Sequence, residues 1–449
     1  MIATKSKHHS PMSRFHQNPN PTGLLSELPD FDLPSYLPSG QKALQKAGRR
    51  QLKVMFSSYF QISNTSNGRM IFSLQIYKNP FINKNTFLIF AVKKKDNCVM
   101  NRLITLFIAA LTLAFNLEIV TAQEQHAYKI GLVGFYNLEN LFDTIDDPLK
   151  IDEEFLPDGA NQWNTEKYMS KLHNMAYAIS TIGLDYTPDG VAVLGLSEIE
   201  NRHVIEDLVA QPEIADRNYQ IVHYDSPDRR GVDVALIYNP KYLKVTGTKS
   251  YRTVVPDEPD FITRDQLLVS GLFDGEPMHF IVMHWPSRYG GEKRSLPGRM
   301  AAATLCRHIT DSLLADDPNA KVIMMGDYND YPTNKSITKY LGANGDLKRL
   351  RQGEYYNPMY ELHMNGIGTN YYNDVPGVLD QTIITPGLLP TDYSTYQYKN
   401  AKVHNKEFLK QHGGRYNGFP FRTFGSGVWM GGYSDHFPVY LILLKKVEN

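Results

Sequence analysis

KVIMMGDYNDYPTN, residues 321–334, carries the reading of the fold. Residues 322–325 are apolar without alternation, the mark of a strand covered on both faces. The run ends at Gly326, and Asp327 and Asn329 follow. Residues two apart on an extended chain face the same way, so a carboxylate and an amide converge just beyond the strand's end. Strand ends are where α/β enzymes place their sites. Taken alone, the stretch is equally an Asx turn leading into the next helix, and Asp330 is open to being a further ligand or a helix cap.

Outward from this strand the same pattern repeats. Apolar, β-branched runs predict strands over 130–136, 191–196, 219–223, 232–238, 267–273, 279–284, 382–385 and 439–444. Apolar residues recurring at Tyr168, Leu172, Met175, Ala176 and Ile179 predict a helix over 165–182. A second is expected over 297–314, with Pro297 in its first turn, and a third from near Asn334. Strands outnumber helices, which predicts an α/β fold of two mixed β-sheets packed face to face with flanking helices. Residues 343–376 and 400–432, rich in Tyr, Asn and Gly, read as long loops at one rim.

The chain has 449 residues, 42% of them hydrophobic and 21% charged, enough to bury a sizeable core and too apolar for general disorder. Its zero net charge hides an asymmetry. Residues 1–122 hold 15 Lys and Arg against 5 Asp and Glu, leaving 32 against 42 for residues 123–449. An acidic body repels polyanions unless cations bridge the contact. The two cysteines, Cys98 and Cys306, form no disulfide framework and no Cys-rich metal knuckle.

MNRLITLFIAALTLAFNLEIVTAQEQ, from Met100, has the layout of a secretory signal peptide: Arg102, an apolar block over 103–115, then Val120-Thr121-Ala122 before a cleavage point. The block is shorter than the roughly 20 residues a membrane span needs. Residues 100–122 are therefore read as a signal peptide, giving a secreted or periplasmic product with no membrane span after cleavage. Residues 1–99 are read as a disordered extension or a gene-start artefact, with translation beginning at Met100, although apolar patches such as 87–92 argue for something foldable. Residues 123–449 form a single domain.

More strand ends carry polar side chains. GVAVLGLSEIEN delivers Glu198 and, two residues on, Glu200, while GLVGFYNLENLFD delivers Asn137 and Glu139. Two acidic strand ends could share a hard cation, since Mg²⁺ takes oxygen ligands, often one or two carboxylates plus water and phosphate. HFIVMHWPSRYGGEKRS ends its strand at His284 and carries Arg288 in a Gly-rich loop; an imidazole and a guanidinium suit a phosphate. Arg230 precedes another strand in DRRGVDVALIY. GGYSDHFPVYLIL sets Asp435 and His436 at the mouth of the last strand. Asp380, in GVLDQTIIT, is the carboxylate to fix the His436 tautomer and raise its basicity.

The ordered set of Asn137, Glu198, His284, the GDYN of 326–329, Asp380 and the SDH of 434–436 resembles the endonuclease/exonuclease/phosphatase superfamily of deoxyribonuclease-like enzymes, over about 130–444. The WPSRYGG after His284 is similar to a bacterial, secreted-type subgroup. The resemblance implies a four-layer α/β sandwich and a metal-dependent phosphoric ester hydrolase. It implies Glu198 as the principal metal ligand, for Mg²⁺ or Mn²⁺, with Glu139 and Asp435 as further acidic groups. Asp327 and Asn329 would orient the water and contact phosphate. His436 and Asp380 would form the histidine–carboxylate pair, His284 the second histidine, and Asn137 the N-terminal site residue that meets substrate. Gln381 and Thr382 depart from the residues that usually follow the superfamily's Asp.

The expected reaction is in-line attack of water on a phosphodiester, nuclease-like, on DNA or RNA. The alternatives are phospholipid headgroups, inositol phosphates or other small phosphate esters, and a catalytically inactive secreted binding module. No stable protein partner is implied. Tyr355, Tyr356, Tyr371 and Tyr372 could stack bases or merely pack loops. No G-x-S-x-G, H-E-x-x-H or G-x-G-x-x-G occurs, which excludes the common serine hydrolase, zinc protease and dinucleotide-binding readings.

Overall fold

Continuously apolar strands need cover on both faces, and here two sheets cover each other. The computed structural model describes residues 59–64, 69–75, 88–93, 127–256 and 258–447, which fall into two units, Met1–Gln123 and Glu124–Asn449. In the first, β1 (Tyr59–Asn64), β2 (Arg69–Gln75) and β3 (Leu88–Lys93) pair antiparallel in that order. β3 overlaps the apolar patch at 87–92. The rest of the expected 1–99 extension and the signal-like segment 100–122 lie outside the described residues.

The second unit contains β4 (Tyr128–Leu141), β5 (Val193–Ile199), β6 (Gln220–His223), β7 (Asp233–Tyr238), β8 (Leu243–Tyr251), β9 (Gln266–Phe273), β10 (Glu276–His284) and β11 (Val322–Asp327). Short β12 (Ala343–Asn344) to β15 (Val375–Gly377) follow, then β16 (Asp380–Ile384), β17 (Gln397–Val403), a small hairpin of β18 (Phe424–Gly425) and β19 (Val428–Trp429), and β20 (Val439–Lys446). One sheet runs β17-β20-β4-β5-β7-β6 and the other β12-β13-β16-β11-β10-β9-β8, where β13 is Tyr355–Tyr356. Both are mixed, with β4–β5 and β10–β11 parallel.

Three buried clusters define four layers. Val133, Phe135 and Val193 of the first sheet meet Phe280, Val282, Ile323 and Met325 of the second. The first sheet's outer face packs on α1 (Thr165–Thr181) through Leu172, Met175 and Ile179, and on α2 (Arg202–Val209) through Val204 and Leu208. The second sheet's outer face packs on α3 (Glu292–Asp316) through Ala302, Cys306 and Ile309. Each fully buried aliphatic side chain contributes about 1.5–3 kcal/mol, so the inner layer alone outweighs any single polar contact. This is the expected α/β sandwich.

Side-chain caps start two of the helices. Asn164 Oδ1 accepts the Lys167 N–H and Asn201 Oδ1 the Val204 N–H. α3 corrects the expected start at Pro297: it begins at Glu292, with Pro297 inside. The guanidinium of Arg299 donates to the Glu292 carbonyl at 3.2 Å and Ser295 Oγ to that of Gly291 at 2.9 Å, stabilising the extra turn. The helix expected near Asn334 is a single wide turn, Ser336–Leu341. The expected long loops are partly ordered, holding α4 (Met359–Met364) and the small hairpins. Among the described residues no helix is long and apolar enough to cross a membrane.

Candidate active site

The two sheets end together, and their ends carry the polar side chains. In the second sheet His284 is the register partner of Asp327 across parallel β10–β11, and Asp327 the partner of Asp380 across antiparallel β11–β16. Cross-strand partners share a face, so these three side chains line up in a row. Gly326 allows it: a Cβ there would lie 2.1 Å from the Met283 carbonyl oxygen. In the first sheet the β4–β5 register slips between Asn137 and Leu141, and that of β5–β7 between Ser197 and Ile199. The bulges set Glu139, Asn140 and Glu198 at φ of 49°, 55° and 58°, and Asn329 adopts 49°. Left-handed backbone at non-glycine residues is uncommon and clusters where a side chain must be aimed.

Asn137 joins the two sheets. Its amide nitrogen donates to Glu198 Oε1 and to Asp327 Oδ2, both at 3.2 Å, while its oxygen accepts the Glu139 N–H at 2.9 Å. Glu198 Oε2 accepts the Asn140 N–H at 3.1 Å, and Asp327 Oδ1 the Asn329 N–H at 2.8 Å. The imidazole of His284 stands 3.8 Å from Glu198 Oε1 and 3.6 Å from Asp327 Oδ2. Burial, then the nearby charges of Arg264 and Arg230, hold His284 well below its ordinary pKa, so it is neutral. Burial lifts Asp327 to about 7 against the opposing charge of His436.

His436 Nδ1–H donates to Asp380 Oδ2 at 2.7 Å, both groups buried. Burial alone would lower this imidazole. The charges of Asp380, Asp435 and Asp327 outweigh it and hold His436 well above its ordinary value. Ligand-type atoms of Asp327, Asp380 and His436 lie within 4.8 Å of one another. A protonated imidazole cannot ligate a metal, so this triad fits water and phosphate better than an ion. Ser434 Oγ fixes the approach by donating to the Asn137 carbonyl at 2.7 Å and accepting the His436 N–H at 3.1 Å.

Glu139 and Asp435 meet around Arg422. Arg422 Nη2 lies 2.7 Å from Asp435 Oδ2 and its Nε 3.6 Å from Glu139 Oε1, and Glu139 Oε2 accepts the Thr423 N–H at 2.6 Å. Burial and the Asp435 charge raise Glu139 to about 7. Beneath them the wholly buried Lys171 of α1 donates to Thr423 Oγ1 and to the Tyr433 carbonyl, and burial lowers it to about 8. Glu200 is apart, accepting the Asp143 N–H at 2.7 Å, and burial lifts it to about 8.

The expected phosphate ligands fare unequally. Arg230 is half exposed beside Asp228, near enough to bias His284. Arg288 is engaged elsewhere: it donates to the Asn329 carbonyl at 2.9 Å, Asp330 Oδ1 at 3.0 Å and Asn334 Oδ1 at 3.1 Å, and it lies over the Tyr331 ring. Asn329 turns its amide to the Trp285 carbonyl at 3.0 Å. Asp330 is buried between Arg288 and Arg299 and accepts from Ser336 Oγ, which makes it the anchor of its loop. Of the four tyrosines, Tyr355 and Tyr356 are buried and Tyr371 stacks on Phe419, while Tyr372 is exposed.

Sequence reasoning missed four cations, Lys171, Arg264, Arg299 and Arg422. Arg264 is buried and clamps the carbonyls of His284 and Trp285 while paired to Asp228. Lys171 had a legible signal, since it sits three residues after Tyr168 and four before Met175, on the apolar stripe of its helix.

The donors around Glu198 suit a hard divalent cation. The carboxylate oxygens of Glu198 and Asp327 are hard ligands, and the adjacent imidazole is neutral. The sequence pattern of the endonuclease/exonuclease/phosphatase family matches residues 132–445. No curated protein matches the chain in sequence. Solved structures similar to it include an endonuclease/exonuclease/phosphatase family protein from Bacteroides thetaiotaomicron, 16% identical, covering 72% of this chain and 98% of that one at a TM-score of 0.44. A mannosyl-6-phosphatase from Bacteroides thetaiotaomicron is 16% identical over 70% of this chain and 99% of its own, TM-score 0.42. The human nocturnin catalytic domain is 15% identical over 71% and 97%, TM-score 0.41.

Proposed function

The chain belongs to the endonuclease/exonuclease/phosphatase family, and from that premise we propose that it hydrolyses phosphodiester bonds, nuclease-like, with a bound Mg²⁺ or Mn²⁺. The observation that carries the reading is the buried His436–Asp380 pair at 2.7 Å facing Asp327, beside Glu198 and a neutral His284. The two imidazoles are pushed in opposite directions, His284 down and His436 up, which assigns them different tasks as a neutral hydrogen-bond donor and a cation. Glu198 would hold the ion, which when bound supplies positive charge against a phosphoryl oxygen.

The rest is done by the chain itself. Asp327, fixed by Asn137 and the Asn329 N–H, orients the attacking water and accepts its proton. His436, kept cationic by Asp380, faces the negative charge that gathers on the phosphoryl oxygens and donates to it. His284, neutral and wedged between Glu198 and Asp327, donates a further hydrogen bond without opposing the cation. No side chain here is placed as a covalent nucleophile.

A second reading, hydrolysis of small phosphate esters such as lipid headgroups or inositol phosphates, is favoured by the acidic excess of residues 123–449, 42 Asp and Glu against 32 Lys and Arg. The test is hydrolysis of plasmid DNA, RNA, bis-p-nitrophenyl phosphate and p-nitrophenyl phosphate with Mg²⁺ or EDTA. Metal-dependent cleavage of nucleic acid supports the first reading. Turnover of the small esters alone supports the second, and no turnover of any supports a binding module.

A further inference from the structure

Two pairs of carboxylates stand at this site, and they are not equivalent. Glu198 and Asp327 face the Asn137 amide and a neutral imidazole, His284. Glu139 and Asp435 face two cations. Arg422 spans them, its Nη2 on Asp435 Oδ2 at 2.7 Å and its Nε 3.6 Å from Glu139 Oε1. The other Glu139 oxygen is taken by the Thr423 N–H at 2.6 Å, and the other Asp435 oxygen lies 3.9 Å from His436 Nε2. Lys171 adds a second positive charge from below, although its bonds go to Thr423 Oγ1 and the Tyr433 carbonyl rather than to the carboxylates.

We propose that Arg422 is a built-in counter-ion that fills the Glu139–Asp435 pair, so that the site takes one divalent ion, at Glu198, and excludes a second. The inference rests on the metal reading above and specifies its stoichiometry. A guanidinium and a divalent cation cannot share the same two oxygens, and an ion placed beside Arg422 and Lys171 would meet like charge in a partly desolvated setting. Arg422 itself is half exposed, at 45% of its side chain. Its removal opens the carboxylate oxygens without emptying a core position. Lys171 stays in place, because its hydrogen bonds do not involve them.

The experiment is calorimetric titration of the whole protein with Mn²⁺ alone, no substrate present. Wild type should bind one ion per chain, Glu198→Gln none, Arg422→Gln two with the second weaker, and Arg422→Lys one. Thermal unfolding confirms that each variant is folded. Two ions in wild type, or one ion in folded Arg422→Gln, overturns the counter-ion assignment and leaves the metal reading standing. No Mn²⁺ in wild type, or an ion retained in Glu198→Gln, overturns the metal reading and the stoichiometry with it.

Discussion

Asp380→Asn isolates the charge of the buried pair. The carboxylate oxygen lies 2.7 Å from His436 Nδ1, with side-chain exposures of 1% and 7%. Asparagine keeps the size and an acceptor oxygen and loses the charge. At an effective dielectric of about 20 and about 4 Å between charge centres, that charge stabilises the imidazolium by about 4 kcal/mol. If His436 acts as a cation in the transition state, the same energy appears as roughly a thousandfold loss of kcat. The assay is steady-state hydrolysis of bis-p-nitrophenyl phosphate at saturating Mg²⁺. The expected result is kcat reduced about 10²- to 10³-fold, KM within a few-fold, and Mn²⁺ still bound. A variant that is folded and retains kcat within threefold of wild type refutes the role given to the pair.

Three further predictions follow from burial and processing. Arg299→Met leaves Asp330 short of one of its two guanidinium partners and frees the carbonyls of residues 286 and 287, so urea denaturation should show a loss of about 3–5 kcal/mol. Burial holds His404 at about 4 against an ordinary 6.5; between those values the unfolded chain takes up a proton that the folded chain refuses, so stability is flat above about pH 6.5 and falls as pH drops toward 4. Wild type should lose about 2–3 kcal/mol between pH 7 and 4.5 relative to His404→Gln, read from urea midpoints, and parallel curves would contradict the assignment. N-terminal sequencing of the native protein should begin at Gln123, and a product retaining residues before 100 would contradict the signal-peptide reading.

What the sequence made legible was the centre of each sheet. The first part of β5, the second half of β10 and most of β11 are covered on both faces, so 193–196, 280–283 and 322–325 are apolar without interruption and the polar side chain that follows each run stands out. β8 and β17 lie at sheet edges with largely solvated residues. LKVTGTKSY and QYKNAKV therefore read as connections. The side chains at the strand ends were legible for the same reason, and the structure brings Asn137, Glu198, His284, Asp327, Asp380 and His436 together. Arg422 was hidden in a Gly-rich stretch with no period. Arg299 was hidden because an arginine in a helix ordinarily marks the solvent face, whereas here it is buried on Asp330. Arg288, read as a phosphate clamp, is held by three oxygens of the loop that follows β11, a fate that spacing alone does not reveal.

Metal-dependent turnover is the most direct test of the central claim: wild type and Glu198→Gln assayed on bis-p-nitrophenyl phosphate in EDTA and after readdition of Mg²⁺ or Mn²⁺. The account predicts hydrolysis by wild type that EDTA abolishes and either ion restores, with none from Glu198→Gln under any condition. Hydrolysis that persists in EDTA, or a Glu198→Gln rate equal to wild type, would contradict it.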